Sequence, residues 1–137
     1  MATNAPMTIF QVAGRAMSAQ LVRMNTTASN LANAGGTAGS EDAAYRSIKP
    51  VFRTSYDQAT GLSTVDAVQV VTAGGTPTKR YDPSNPIADK DGNIYEASVD
   101  ETRELVDMME TARSYQNNVE VMNTAKTLIL DTLKMGR

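Results

Sequence analysis

The groups available for chemistry in this chain are carboxylates, lysines, arginines, hydroxyls and five tyrosines, because its 137 residues include no His and no Cys. That removes Ser-His-Asp catalysis, imidazole and thiolate metal sites, thiol nucleophiles and disulfides. The densest set of potential ligands is Asp89-Lys90-Asp91-Gly92-Asn93. Its spacing fails as a calcium loop, since a glycine at position six would put Ile87 at the first ligand position and Ser98 at the twelfth, where a Glu belongs. Asp91-Gly92 before Ile94-Tyr95 reads instead as a hairpin turn. Gly35, Gly36 and Gly39 precede no Gly-Lys-Ser/Thr, so they read as a flexible hinge and not a phosphate loop. Lys79-Arg80 is an isolated basic pair without interleaved aromatics, which disfavours nucleic acid. The acids of the last segment alternate with bases as a solvated helix face does. The chain therefore reads as a non-enzyme with no cofactor or metal.

The elements that must carry any function are two amphipathic helices around a β-rich middle. Thr8-Ile9-Phe10-Gln11 has capping-box spacing, and Phe10, Ala13, Met17, Leu21, Met24, Ala28 and Leu31 follow on one face. This predicts a helix from Thr8 to about Ala32, ended by the Gly35–Ser40 break. In the middle, Tyr45 to Tyr56 reads as a strand whose Pro50 suits an edge, and Val65 to Thr72 as a second, with Val68, Val70 and Thr72 on one face. Asp57 to Gly61 turns one into the other, giving a small region of about two hairpins with long loops. Ser98-Val99-Asp100-Glu101 is a second capping box, and Lys134 and Arg137 suit the negative end of the helix it opens. Within that helix a seven-residue register places Leu105, Ala112, Val119, Lys126 and Leu133 in one row and Met108, Tyr115, Met122, Ile129 and Gly136 in the other.

The expected fold class is α+β: long N- and C-terminal helices paired as an antiparallel hairpin or coiled coil, with a small central β-hairpin region. The divisions expected are 1–34, 35–97 and 98–137, the outer two being halves of one helical unit. Composition strains this design. Leu, Ile, Val and Phe make up 25 of 137 residues, about 18%, a fraction at which independent folding becomes doubtful. The last helix would be roughly 52 Å long, against roughly 35 to 40 Å for the diameter of a compact domain of this size. Two readings follow: a helix pair completed by other subunits, or an ordinary helical hairpin such as a soluble adaptor or export chaperone.

Ser29-Asn30-Leu31-Ala32-Asn33 with Thr37 and Gly39 resembles the signature of flagellar rod and hook proteins. Tyr81 to Asp89, Ala112 to Lys126 and Leu133 to Arg137 resemble the proximal rod members of that family. The resemblance implies a structural subunit of the basal-body rod, the drive shaft that transmits torque across the periplasm. It would leave the cytoplasm for the periplasmic rod of the basal body through the flagellar type III export apparatus, without a cleaved signal. Implied partners are the proximal rod proteins FlgB, FlgF and FliE and further copies of the chain, with no nucleic acid and no membrane insertion. The resemblance also implies that Ser29, Asn30, Leu31 and Asn33 fix the end of the first helix, and that Arg113, Tyr115, Gln116, Asn117 and Asn123 make contacts between helices. Counting the apolar rows as seam, the expected subunit-interface residues are these together with Met17, Leu21, Met24, Leu105, Met108, Ala112, Val119, Met122, Ile129 and Leu133.

Overall fold

A computed structural model describes residues 8–136. The elements run α1 (Ile9–Asn33), β1 (Thr37–Ala38), β2 (Ile48–Asp57), β3 (Leu62–Thr72), β4 (Thr78–Tyr81), β5 (Asn93–Glu96) and α2 (Glu101–Met135). The two helices pack together, and α1 also packs on β2 and β3. This is the expected α+β arrangement.

Helix α1 starts where its sequence says it should. Thr8 accepts a hydrogen bond from the Gln11 N–H, and the Gln11 side chain accepts one from the Thr8 N–H, so two opening donors are satisfied. Helix α2 starts two residues later than the second capping box predicts, with Asp100 as the cap accepting from the Arg103 N–H. Ser98 is not free to cap. Its N–H donates to the Tyr45 carbonyl at 2.8 Å and its carbonyl accepts from Ser47 at 3.2 Å, which holds it extended. At the far end Lys134 lies in the last turn of α2, whereas Arg137 is outside the described residues.

Strands β2 and β3 form an antiparallel two-stranded ribbon in which Pro50 sits opposite Val70. Both strands of such a ribbon are edges, so the missing Pro N–H is tolerated. The register shifts between Val51, opposite Gln69, and Phe52, opposite Ala67. Val68 is thereby left without a partner, and Val68, Val70 and Thr72 all face solvent.

The second sheet has the order β1-β5-β4, entirely antiparallel. It corrects the hinge expected at Gly35–Ser40: Thr37 and Ala38 pair with Glu96 and Tyr95, and the Ala97 N–H donates to the Gly36 carbonyl at 2.9 Å. Backbone pairing wins over the glycine content there. The Asp91-Gly92 turn signal marks the end of an eleven-residue connection from β4 to β5 and not a two-residue hairpin. Gly92 does adopt φ of 78°, the left-handed conformation that glycine allows without strain.

The two sheets meet where the chain passes itself three times. Arg46 bridges Ser98 in parallel, and the Ser47 carbonyl accepts from both Ala73 and Gly74. Gly74 is required by space: a Cβ there would lie 2.6 Å from the Ser47 nitrogen and 2.9 Å from the Ser98 carbonyl oxygen.

Candidate assembly surface

The buried apolar core of the described residues is Ala13, Ala19, Ala44 and Ile94, so Ile94 is its one large side chain. Buried polar residues outnumber these, and the larger of the two that are fully buried, Asn30, forms the centre of the molecule. Its Oδ1 accepts from the Ile48 N–H at 2.8 Å and from the Tyr45 hydroxyl at 3.0 Å. Its Nδ2 donates to the Ile48 carbonyl at 2.9 Å and to Glu104 Oε2 at 3.0 Å. One amide thus joins α1, the start of β2 and α2. Around it, Ser29 Oγ lies 3.2 Å from the Tyr45 hydroxyl, and Asn33 donates back to the Ser29 carbonyl at 2.8 Å. The contacts of Ser29, Asn30 and Asn33 are therefore made within the chain. Arg23 and Lys49 reach Asp107 at 3.7 and 3.8 Å at the rim of this centre. Such half-exposed ion pairs add little.

The face that α2 turns toward α1 is only in part the one its apolar letters mark. Thr111 is fully buried, and Glu104, Met108, Tyr115, Asn118, Met122 and Ala125 share its side at steps of three and four. Of the expected rows, Met108, Tyr115 and Met122 lie on this half-buried face, with Ala112 at its margin. Leu105 and Val119 are exposed beside it. The Leu105 row and the row of Glu104, Thr111, Asn118 and Ala125 both repeat every seven residues, so the first stays one residue, about 100°, to the side of the second as far as Leu133.

By then there is nothing to meet. Both helices rise about 1.5 Å per residue, so with Asn30 against Glu104 the first residue of α1, Ile9, falls level with Ala125. Every described residue from 126 onward is exposed, including Leu128, Ile129, Leu130, Leu133 and Met135. Leu128 and Leu133 show 62% and 65% of their surface. On the outer side of the earlier part of α2, Val106, Met109 and Val121 are also exposed. Arg113, Gln116, Asn117 and Asn123 face solvent with them. On α1, Leu21 is exposed, whereas Met17, Met24 and Leu31 are half-buried. The accessible surface is 9324 Å², against about 6,900 Å² for a compact monomer of this mass.

The acidic loop makes its own internal structure. Asp89 Oδ1 accepts from the Asn93 N–H at 2.8 Å and the Asp91 N–H at 2.9 Å. These bonds, the one from Asn93 first, hold its carboxyl below the usual carboxylate value. Among the described residues no group of three or more potential ligands could hold a metal ion, and no helix is long and apolar enough to cross a membrane.

Comparison of the sequence with known proteins identifies a family. The chain is 40% identical over 131 residues to the flagellar basal-body rod protein FlgC of Salmonella typhimurium, covering 94% of this chain and 96% of that one. The chain belongs to the FlgC family of flagellar basal-body rod proteins. The FlgC of Escherichia coli O6:H1 is 39% identical over 129 residues, with the same coverage. That of Buchnera aphidicola subsp. Schizaphis graminum is 35% identical over 130 residues, covering 93% of this chain and 96% of the relative. Two family models also match. "Flagella basal body rod protein" spans residues 10–39, which takes in α1 and β1. "Flagellar basal body rod FlgEFG protein C-terminal" spans 90–135, which takes in β5 and α2. The FlgC relatives extend the match through the β2–β3 ribbon between them.

Residues that the apolar pattern missed are Glu104, Thr111, Asn118 and Ala125. They too repeat every seven residues, and a count of small and polar letters at heptad spacing would have found them.

Proposed function

We propose that this flagellar rod structural subunit is an axial, self-assembling component of the proximal rod, carrying torque across the periplasm and performing no catalytic step. The carrying observation is the apolar surface of α2 that its own chain leaves uncovered, greatest beyond Ala125. Neighbouring subunits would cover Leu128, Ile129 and Leu133 there, and Leu105 and Val119 along the side, with Arg113, Gln116, Asn117 and Asn123 supplying polar contacts. FlgB, FlgF, FliE and further copies of the chain are the partners consistent with the family, after delivery by the type III export apparatus. Torque passed through many helix contacts needs no reactive group, which agrees with the absence of His and Cys.

A photo-crosslinking residue at position 128 or 133, introduced into motile cells, tests this. Adducts between the chain and rod subunits in purified basal bodies are expected. Adducts confined to soluble proteins outside the basal body would reject the reading.

A further inference from the structure

The seam between α1 and α2 lacks the features that usually hold two helices in one register. Apart from Asn30 and Glu104, the side chains that the two helices bury are small, Ala13, Ala19, Thr26 and Thr27 on α1 and Thr111 on α2. Small knobs fill shallow holes, so sliding the helices by one heptad alters their packing little. The ion pairs at the rim resist a slide only weakly, because Arg23 and Lys49 are partly exposed and water solvates their charges once the contact with Asp107 is broken.

The contact between Asn30 and Glu104 differs in kind. Asn30 is 1% exposed and Glu104 4%. All four hydrogen-bonding positions of the Asn30 amide are used, three of them on Tyr45 and Ile48 and the last on Glu104. A slide of α2 would leave a buried amide hydrogen and a buried carboxylate oxygen without partners, and such orphaned groups are costly.

We propose that Asn30 and Glu104 form a register lock, the interaction that selects one alignment of α2 on α1. Because the same amide grips Ile48 at the root of the β2–β3 ribbon, the lock also sets where the ribbon sits along the helices. It thereby decides that α2 becomes uncovered at residue 126. This holds for the single chain, whatever that surface later meets.

The absence of cysteine makes the register directly readable. Ala16 lies two heptads before Asn30, and Asn118 two heptads after Glu104, so Ala16→Cys with Asn118→Cys reports the parental alignment. Ala16→Cys with Thr111→Cys or with Ala125→Cys reports a slide of one heptad either way. In the full chain, the first pair should form its disulfide at least about tenfold faster than the others, a ratio matching the loss of one buried hydrogen bond. Glu104→Leu should bring the three within about threefold. Glu104→Gln, which keeps an acceptor for Asn30, should restore the parental preference, and Thr27→Ala, an ordinary packing loss in the same seam, should leave it intact. Parental preference in Glu104→Leu, or equal scrambling by Thr27→Ala, would overturn the lock. If Glu104→Leu alone fails to fold, Asn30→Leu with Glu104→Leu decides: mixed registers support the lock, and one register contradicts it.

Discussion

The two ends of α2 have opposite relations to the rest of the chain. From Glu101 to Ala125 it lies along α1, and its inner face is made of Glu104, Thr111, Asn118 and Ala125 with Tyr115 and the flexible Met108 and Met122 half-buried among them. From residue 126 onward it carries four branched aliphatic side chains, Leu128, Ile129, Leu130 and Leu133, with no cover. Branched aliphatic groups are concentrated where the chain cannot bury them, while the fully or nearly fully buried side chains of α2 are the polar Glu104 and Thr111. In a self-sufficient domain the distribution would be reversed, since burial of large apolar side chains is the main stabilising contribution to folding. The inner part of α2 is thus built for position, and the outer part for adhesion.

That contrast can be broken from either side. The largest effect is expected from Leu128→Asp. The side chain is exposed in the single chain, so thermal melting should shift by no more than about 0.5 kcal/mol. A charge buried in a subunit contact costs several kcal/mol, so rods should fail to form and swimming should be lost. Normal motility would show that this face remains bare.

Asn30→Ala should do the reverse, lowering the stability of the isolated chain by about 3 kcal/mol through the orphaned Ile48 backbone and Glu104 carboxylate. Denaturant melting measures it, and a loss below about 0.5 kcal/mol would remove Asn30 from the centre of the account. Gly74→Ala should cost about 1–3 kcal/mol, because its Cβ meets backbone atoms of Ser47 and Ser98 that cannot rotate away. That variant separates damage at the sheet junction from damage at the helix seam.

The smallest effect concerns pH. Asp89 is held below its ordinary value of 3.8 by the Asn93 N–H. A depressed carboxylate contributes stability that is present above 3.8 and lost as pH falls through its lower folded value. Amide signals of Asp91 and Asn93 should therefore be unchanged from pH 7 to 5 and shift only below 3.8, and Asp89→Asn should abolish that step. A transition near neutral pH would contradict the assignment.

Much of the frame was legible in the sequence. The Thr8-to-Gln11 box, the α2 span and the ribbon turn at Asp57 to Gly61 follow from local spacing, which is what local chemistry determines. The seam of α2 was legible in part: periodicity scored on apolar letters found Met108, Tyr115 and Met122 but also selected Leu105 and Val119, whereas Asn30 draws Glu104 inward. Ser98 failed as a cap and Gly35 to Ser40 failed as a hinge for one reason: each is captured by backbone distant in sequence, at Tyr45 and Ser47 and at β5. Tertiary hydrogen bonds of that kind leave no local signature. The resemblance to the proximal rod proteins rests on the motifs of Ser29 to Asn33, Tyr81 to Asp89 and Ala112 to Lys126 and does not depend on these details.

Amide hydrogen exchange along α2, measured residue by residue in dilute isolated chain and again in assembled rods, tests the central claim most directly. Slow exchange is expected around Thr111 in both states, with fast exchange at residues 126–135 that becomes slow only after assembly. Equal protection over the whole helix in the isolated chain, or no gain beyond Ala125 on assembly, would contradict it.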